Sequence, residues 1–342
     1  MNRGILSLLL ALLPFTVQAQ DISRIAFGSC NHQDKPQPVW TPVLADRPDL
    51  FVFLGDNVYA DTDEPVELQA AYDKLMAIPG YRQLRETVPV IATWDDHDYG
   101  QNDIGRDYVS KDASRRIMLD FYNEPADSPR RSRPDGIYTS YLYGEPGRRV
   151  QIILLDLRWN RSGLTRVEDP QRSAAREARM MGPYEASLSR DAELLGEAQW
   201  QWLEEQFQQP ADIRIIGSSI QLLADFTGWE TWANYPAERL RLFHLLERYQ
   251  QQPLVIISGD VHWAELSEIR DLDLPWPLIE LTSSGLTEEW SMISPNRHRV
   301  GEAFAVANYG LIDIDWSTSP PAVRLSIKDE EGRLLIDRSV SW

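Results

Sequence analysis

The amino-acid sequence predicts an α/β domain built on a well-buried sheet, and three observations carry that expectation. Short apolar runs recur along the chain, helical patterns fall between several of them, and the runs are apolar on successive residues instead of alternating. A strand covered on both faces reads as a continuous apolar run, whereas a half-solvated strand alternates. Residues 22–27, 50–54, 88–93, 149–155, 213–216, 254–257 and 277–281 form such runs. Residues 66–76, 110–122, 196–207 and 237–249 repeat their apolar positions at helical spacing. Past Asn308 the pattern changes. Residues 310–315 and 322–327 read as strands, Glu331-Gly332 as a turn and the remainder as a last short strand. These are expected to close a second sheet against the first.

The first residues read as an export signal: Arg3, an apolar stretch over 4–15, and Val17-Gln18-Ala19 as a small-residue cleavage site. The stretch is shorter than the roughly 20 residues that cross a bilayer. A signal peptide over 1–19 and one domain over 20–342 are therefore expected, with the alternative of an uncleaved amino-terminal anchor left open. No twin-arginine pair precedes the apolar stretch, which favours unfolded export to a periplasmic or secreted location. With 43% apolar residues and 12 Trp among 342 residues, the chain can bury a substantial core. No repeat or low-complexity tract interrupts it. The longest irregular stretch, residues 159–191, is Arg-rich and suits a flap over a site as well as it suits a solvated insertion.

The formal charge of −18 repels nucleic acid and anionic membranes. A phosphate-seeking site on such a chain needs local cations, and bound metal ions are their natural source. Cys30 is the single cysteine, so no intrachain disulfide can form. Its thiol is either buried and inert or bound to something.

What ends each apolar run is informative. Residues 50–54 lead into Gly55-Asp56, 88–93 into Trp94-Asp95-Asp96-His97-Asp98, 149–155 into Asp156, and 254–257 into Ser258-Gly259-Asp260-Val261-His262. In open α/β sheets the carboxyl ends of strands converge on the ligand crevice. A single Asp after a strand can simply cap the following helix. Four such endings together crowd carboxylates whose charges raise one another's pKa, a penalty that bound cations remove. Oxygen ligands suit hard cations such as calcium, and thiolate and imidazole suit transition metals.

Gly28-Ser29-Cys30, Gly55-Asp56-Asn57-Val58-Tyr59-Ala60-Asp61, Trp94-Asp95-Asp96-His97-Asp98-Tyr99-Gly100-Gln101-Asn102-Asp103, Leu155-Asp156-Leu157-Arg158, Gly217-Ser218-Ser219-Ile220-Gln221 and Gly259-Asp260-Val261-His262 occur in this order. In these blocks the chain resembles the PhoD-like alkaline phosphatases of the calcineurin-like metallophosphoesterase superfamily. The resemblance implies a four-layer αββα sandwich of two mixed sheets flanked by helices, with metals at the strand ends. It implies Asp56 as the bridging ligand, Cys30, Tyr59 and His262 as ligands of a ferric ion, and Asp96 and Asp260 as ligands shifted towards calcium. His97 takes the position of the catalytic histidine, and Arg158 could contact the substrate phosphate or form a salt bridge to one of the many surface carboxylates. One iron with one or two calcium ions is the implied cofactor set.

His32 follows Cys30 where many superfamily members carry a ligand, but Tyr59 is expected to serve instead. Asp95, Asp98, Asn102 and Asp103 could support the metals or shape the loop. His244, His298, Trp200 and Trp202 read as packing or surface residues. The pairs Ser218-Ser219 and Ser283-Ser284 lack the Gly-x-Ser-x-Gly elbow of serine hydrolases, and no phosphate-binding Gly-rich loop ending in Lys-Ser or Lys-Thr is present. The expected activity is hydrolysis of phosphomonoesters or phosphodiesters, on a small molecule or a polymer, by metal-activated water. Hydrolysis of another ester on the same fold, or metal binding without turnover, are the alternatives.

Overall fold

The computed structural model describes residues 17–18, 21–225, 228–249, 252–340 and 342. The expected signal peptide falls outside these residues except for Val17–Gln18, a two-residue strand that pairs with Leu142 and Tyr143. The continuous apolar runs become the central strands of two sheets. Along Leu50–Leu54, Phe51 and Phe53 pack towards helices while Leu50, Val52 and Leu54 pack towards the other sheet, so both faces are apolar. That two-sided burial is why the run shows no alternation.

The first sheet has six strands in the order Leu334–Val340, Ala322–Asp329, Asn308–Asp315, Arg24–Gly28, Leu50–Leu54, Val90–Thr93. Its last three strands run parallel and the other three antiparallel. The second sheet has seven: Val17–Gln18, Thr139–Tyr143, Val150–Leu154, Ile213–Ser218, Leu254–Ser258, Leu278–Ser283 and Ala264–Ile269. The strands after Asn308 therefore do not found a second sheet, contrary to the expectation from sequence. They extend the first one, because Asn308–Asp315 pairs antiparallel with Arg24–Gly28 and sends Ile312 and Ile314 into the core between the sheets. The second sheet comes from the middle of the chain.

Helices Trp40–Ala45, Pro65–Ala77, Pro79–Thr87 and Lys111–Phe121 cover the outer face of the first sheet. Glu197–Phe207 and Pro236–Tyr249 cover the second. Proline begins Pro65–Ala77 and Pro79–Thr87, where its missing N–H costs nothing. The result is the four-layer αββα sandwich with two mixed sheets at its centre.

Glu280, fully buried, accepts the backbone N–H groups of Leu222 and Leu223 at 2.7 Å each. It ties the loop after Ile213–Ser218 to the strand Leu278–Ser283. Burial raises its pKa to about 7, outweighing the lowering effect of those two bonds. A carboxyl raised in the folded state contributes stability that is full below its unfolded value of 4.5 and is lost as pH rises through about 7. Glu280→Gln removes this loss. The urea midpoint of the variant relative to the native chain is expected to climb between pH 4.5 and 7 and to be level on either side. Parallel curves through that interval would show a carboxylate that stays ionised in the fold.

Candidate metal centre

Strand ends from both sheets meet at one edge of the sandwich. Arg24–Gly28 delivers Cys30, Leu50–Leu54 delivers Asp56 and Tyr59, and Val90–Thr93 delivers Asp95, Asp96 and His97. From the second sheet, Leu254–Ser258 delivers Asp260 and His262. Two glycines permit the close approach. A Cβ on Gly55, at φ +106°, would stand 2.4 Å from the Asp95 Cβ, and one on Gly259 would stand 2.3 Å from the Ser29 hydroxyl. Cys30, Asp56, Asp61, Asp103, Asp260 and His262 all hold left-handed backbone, with φ between 48° and 73°. Side chains in that region are uncommon and gather where the surrounding structure imposes them. Here they turn side chains towards the site at strand ends or in adjoining loops, with Asp61 at its exposed rim.

The side chains form overlapping sets whose donor atoms lie within 4.8 Å of one another: Cys30, Asp56 and His262; Asp56, Asp96 and His97; Asp95, Asp96 and Asp260; Asp96, Asp103 and Glu230. The Cys30 thiol lies 3.4 Å from Asp56 Oδ2 and 3.1 Å from the Ser284 hydroxyl. The Tyr59 hydroxyl stands 2.9 Å from His262 Nε2 and donates to Asp56 Oδ2 at 3.3 Å. One pole of the site is thus thiol, phenol and imidazole, and the other is carboxylate.

The electrostatics favour bound cations. Burial pushes the Asp56 and Asp260 carboxyls well above the usual range, and their acidic neighbours push them further. Burial and Asp56 likewise raise Cys30 and Tyr59. Burial holds His262 down at about 4, so its imidazole is neutral and able to ligate. Asp56 Oδ1 and Asp95 Oδ2 are buried without a hydrogen-bond partner among the described residues. Buried carboxylate oxygens left in this state are costly, and a metal ion is the partner that satisfies them. The residues present fit a metal centre.

His97 lines the pocket beside this cluster, with Nδ1 2.7 Å from Asp61 Oδ1. Burial alone would lower its pKa, but Asp96, Asp56 and Asp61 raise it to about 11, giving an imidazolium. Arg158 is fully buried and pairs with Asp95 and Glu230 at 2.5 Å each and with Asp96 at 3.7 Å. It does not line the pocket. Its place explains the charge compensation of Asp95, Asp96 and Glu230 and leaves it out of reach of a ligand in the pocket. His32 stacks on the Tyr59 ring at 5.1 Å, and its Nδ1 accepts the Asp34 N–H, so it stands outside the ligand sets.

Asp98 turns away from the cluster. It bonds Asn57, the Tyr72 hydroxyl and the Asp95 N–H, fixing the helix Asp96–Tyr99 beside the strand ends. Asn102 lines the pocket, and the Asp103 N–H donates to Asp96 Oδ2 at 2.6 Å. His298 sits beside Asp225, and Trp200 packs against Trp232, both apart from the site. Sequence reasoning missed Glu230, which follows no strand. It also missed the supporting hydroxyls. Ser284 accepts the His262 N–H at 2.8 Å, and Ser219 donates to Asp95 at 2.6 Å. Their signal was a serine pair at each of two strand ends.

The pocket of about 240 Å³ is lined by Asp96, His97, Glu230, Asp260 and His262 together with Trp229 and Trp290. Within the stretch expected as a flap, Thr165–Arg166 and Tyr184–Glu185 pair as a hairpin around the helix Pro170–Glu177. The Tyr184 hydroxyl donates to Asp103, and its N–H donates to the Gly228 carbonyl at 2.9 Å. The segment is anchored at the rim of the pocket.

The family model described as PhoD-like phosphatase matches residues 25–308. A solved structure described as the structure of PhoD aligns with a TM-score of 0.66 at 17% identity, covering 96% of this chain and 73% of that one. The Plasmodium protein GAP50, described as the anchor in the inner membrane complex, aligns with a TM-score of 0.55 at 10% identity over 94% of this chain and 89% of its own. No curated protein matches the chain. The structural likenesses establish the fold, and the family match spans most of the sequence.

Proposed function

The chain belongs to the PhoD-like phosphatase family and is a metal-dependent phosphoric ester hydrolase, and from that premise we propose that it acts as a single exported domain on phosphomonoesters or phosphodiesters. In this reading Cys30, Tyr59 and His262 hold a ferric ion. Asp96 and Asp260 would hold calcium, and Asp56, which belongs to both donor sets, would serve both ions. Asp103 and Glu230 extend the oxygen side of the same cluster. The single observation that carries the reading is the merging of a soft and a hard donor set through Asp56, whose Oδ1 is buried without a partner.

When bound, the cations polarise the phosphoryl oxygens and make water acidic enough to attack phosphorus. The protein's own residues arrange the rest. His97 lines the pocket with its Nδ1 held by Asp61, so when the ring is protonated the proton on Nε2 is the one available to the departing oxygen. Asp61 is itself held by the Asn102 N–H at 3.0 Å, which fixes the ring plane. Arg158 works indirectly. It compensates Asp95, Asp96 and Glu230, and so positions the carboxylates that face the cations. Trp229 and Trp290 border the pocket.

Elemental analysis of the purified protein, combined with assays on a monoester and a diester of nitrophenol, tests this reading. Iron and calcium together with release of nitrophenol from a phosphate ester are expected. Hydrolysis of the acetate or sulfate ester in preference to both phosphates would overturn it. His97→Ala is expected to retain the metals and lose about 10²-fold in rate, the usual contribution of a positioned general acid. Loss of metal with unchanged activity per bound ion would reassign His97 as a ligand.

Cys30 supplies a spectroscopic test. A thiolate and a phenolate bound to ferric iron absorb visible light by charge transfer, so the purified enzyme is expected to be coloured. Metal binding also deprotonates the thiol and shields it, so Cys30 should resist alkylation until the protein unfolds. Cys30→Ser should bleach the colour and lower iron content and activity together, while calcium binding is retained. A colourless, iron-free and fully active native enzyme would return Cys30 to a packing role.

A further inference from the structure

A second cleft, of about 270 Å³, opens beside the metal-centre pocket and shares Trp229 and Trp290 with it. The flap supplies Met180, Met181 and Pro183 to this cleft, and Met292 comes from the loop after Trp290. Met180, Trp290 and Met292 are 49%, 38% and 45% exposed, a concentration of large apolar surface on a chain of charge −18. Isolated exposed apolar residues are ordinary, but a contiguous group beside a concave site marks a place where a ligand binds. The flap and the loop are held together here, since the Ser294 hydroxyl donates to the Met180 carbonyl at 2.7 Å.

We propose that this cleft is the leaving-group subsite of the enzyme, and that its preferred substrates are phosphate esters of alcohols carrying a flat aromatic ring. The inference rests on the phosphoesterase reading above. The two pockets lie side by side and share Trp229 and Trp290 as lining, which places the cleft where an ester with its phosphate at the metal-centre pocket would extend its alcohol portion. The indoles of Trp229 and Trp290 stand 6.1 Å apart at an interplanar angle of 83°, presenting a face and an edge at the same corner. A third ring can stack on one while meeting the edge of the other, the two arrangements aromatic groups prefer. Methionine sulfurs around the corner add favourable contacts to a ring and adapt to its outline.

Other features of the cleft select against alternatives. Gly182 lies so close to Trp229 that a Cβ there would stand 2.4 Å from the indole, so the flap backbone backs this ring and holds it in place. A space of this volume takes one or two fused rings, whereas a membrane-lipid acyl chain would overrun it. The Arg176 guanidinium donates to the Gly182 carbonyl at 3.2 Å and so fixes the flap backbone behind this wall, while Ser173 and Glu177 form the polar side of the cleft. Polynucleotides are disfavoured by the overall charge.

The test compares kcat/KM for 2-naphthylmethyl phosphate and ethyl phosphate, both esters of primary aliphatic alcohols. The native enzyme is expected to favour the naphthylmethyl ester by about tenfold or more, the value of burying most of one ring. Trp290→Ala and Met292→Asp, both at exposed positions, are expected to collapse that ratio towards unity. Equilibrium dialysis of 2-naphthylmethanol against the native enzyme and the two variants reads the cleft without turnover. A ratio near unity in the native enzyme, or one unchanged in both variants, overturns the subsite while leaving the phosphoesterase intact. A larger preference for decyl phosphate than for the naphthylmethyl ester also overturns it. Binding of the naphthyl alcohol that both variants lose, with neither phosphate hydrolysed, upholds the cleft and removes the phosphoesterase reading instead.

Discussion

Asp56→Asn and Asp260→Asn are each expected to reduce phosphate-ester hydrolysis by about 10²-fold or more while leaving the chain folded, because each removes a charge from the metal cluster and none from the core. Asparagine suits the comparison. Asp56 and Asp260 hold φ of 48° and 73°, and asparagine tolerates left-handed backbone as well as aspartate does. Both carboxyls are pushed well above their ordinary range by burial and by their acidic neighbours, so neutral amides relieve repulsion in the metal-free protein. The metal-free variants should therefore melt no lower than the metal-free native chain. The loaded native enzyme should melt higher than all of them, because ligands that bind only the folded state stabilise it. More than a tenth of the native activity in either variant, or a native complement of metals, would remove that residue from the site.

Arg158→Ala is expected to cost about 3–5 kcal/mol of folding stability, read as a fall in the urea midpoint of the metal-free protein. The guanidinium is fully buried among Asp95, Asp96 and Glu230, and alanine would leave three buried carboxylates with Arg161 alone as a cation against Glu230. Arg158→Lys should recover part of the loss. It restores a charge but not the planar fork that reaches several carboxylates at once. A residue that only touched substrate would behave differently: KM would rise and the urea midpoint would stay in place. That outcome would return Arg158 to the role of a phosphate contact.

The central strands were legible because burial on both faces writes itself as an unbroken apolar run. Leu50–Leu54 matches the expected bounds for that reason, with phenylalanines towards the helices and aliphatic residues towards the second sheet. Ala264–Ile269 was missed because Glu265 and Ser267 interrupt its apolar pattern, although both are buried; Glu265 is paired with Arg299 and bonded by Gln221. Pro79–Thr87 was missed because Pro79-Gly80 reads as a break, when the proline in fact begins a helix. Cys30, Asp56, Asp96, Asp260 and His262 could be read from the ends of apolar runs. Glu230 could not, since it follows no apolar run and its meaning comes from Arg158 and Arg161, more than sixty residues earlier, and from the carboxylates of Asp96 and Asp103. Arg158 was visible as a residue but not as a buried one, because burial of a charge depends on partners that spacing does not reveal.

The strand Arg24–Gly28 lies between Leu50–Leu54 and Asn308–Asp315, and Phe27 pairs with Gly310. As the chain is delivered from its amino end, one of its first strands therefore cannot find one of its two neighbours until nearly the last residues have arrived. A nascent polypeptide ending at residue 300 would already contain Cys30, Asp56, Asp96, Asp260 and His262, yet the sheet that holds the first three in place would be missing its antiparallel half. Contacts between such distant parts of a chain form late, because the intervening loop must close before they repay its entropy. Assembly of the metal centre is thereby coupled to the presence of the whole chain, and a truncated product would carry the ligands without the frame that gathers them.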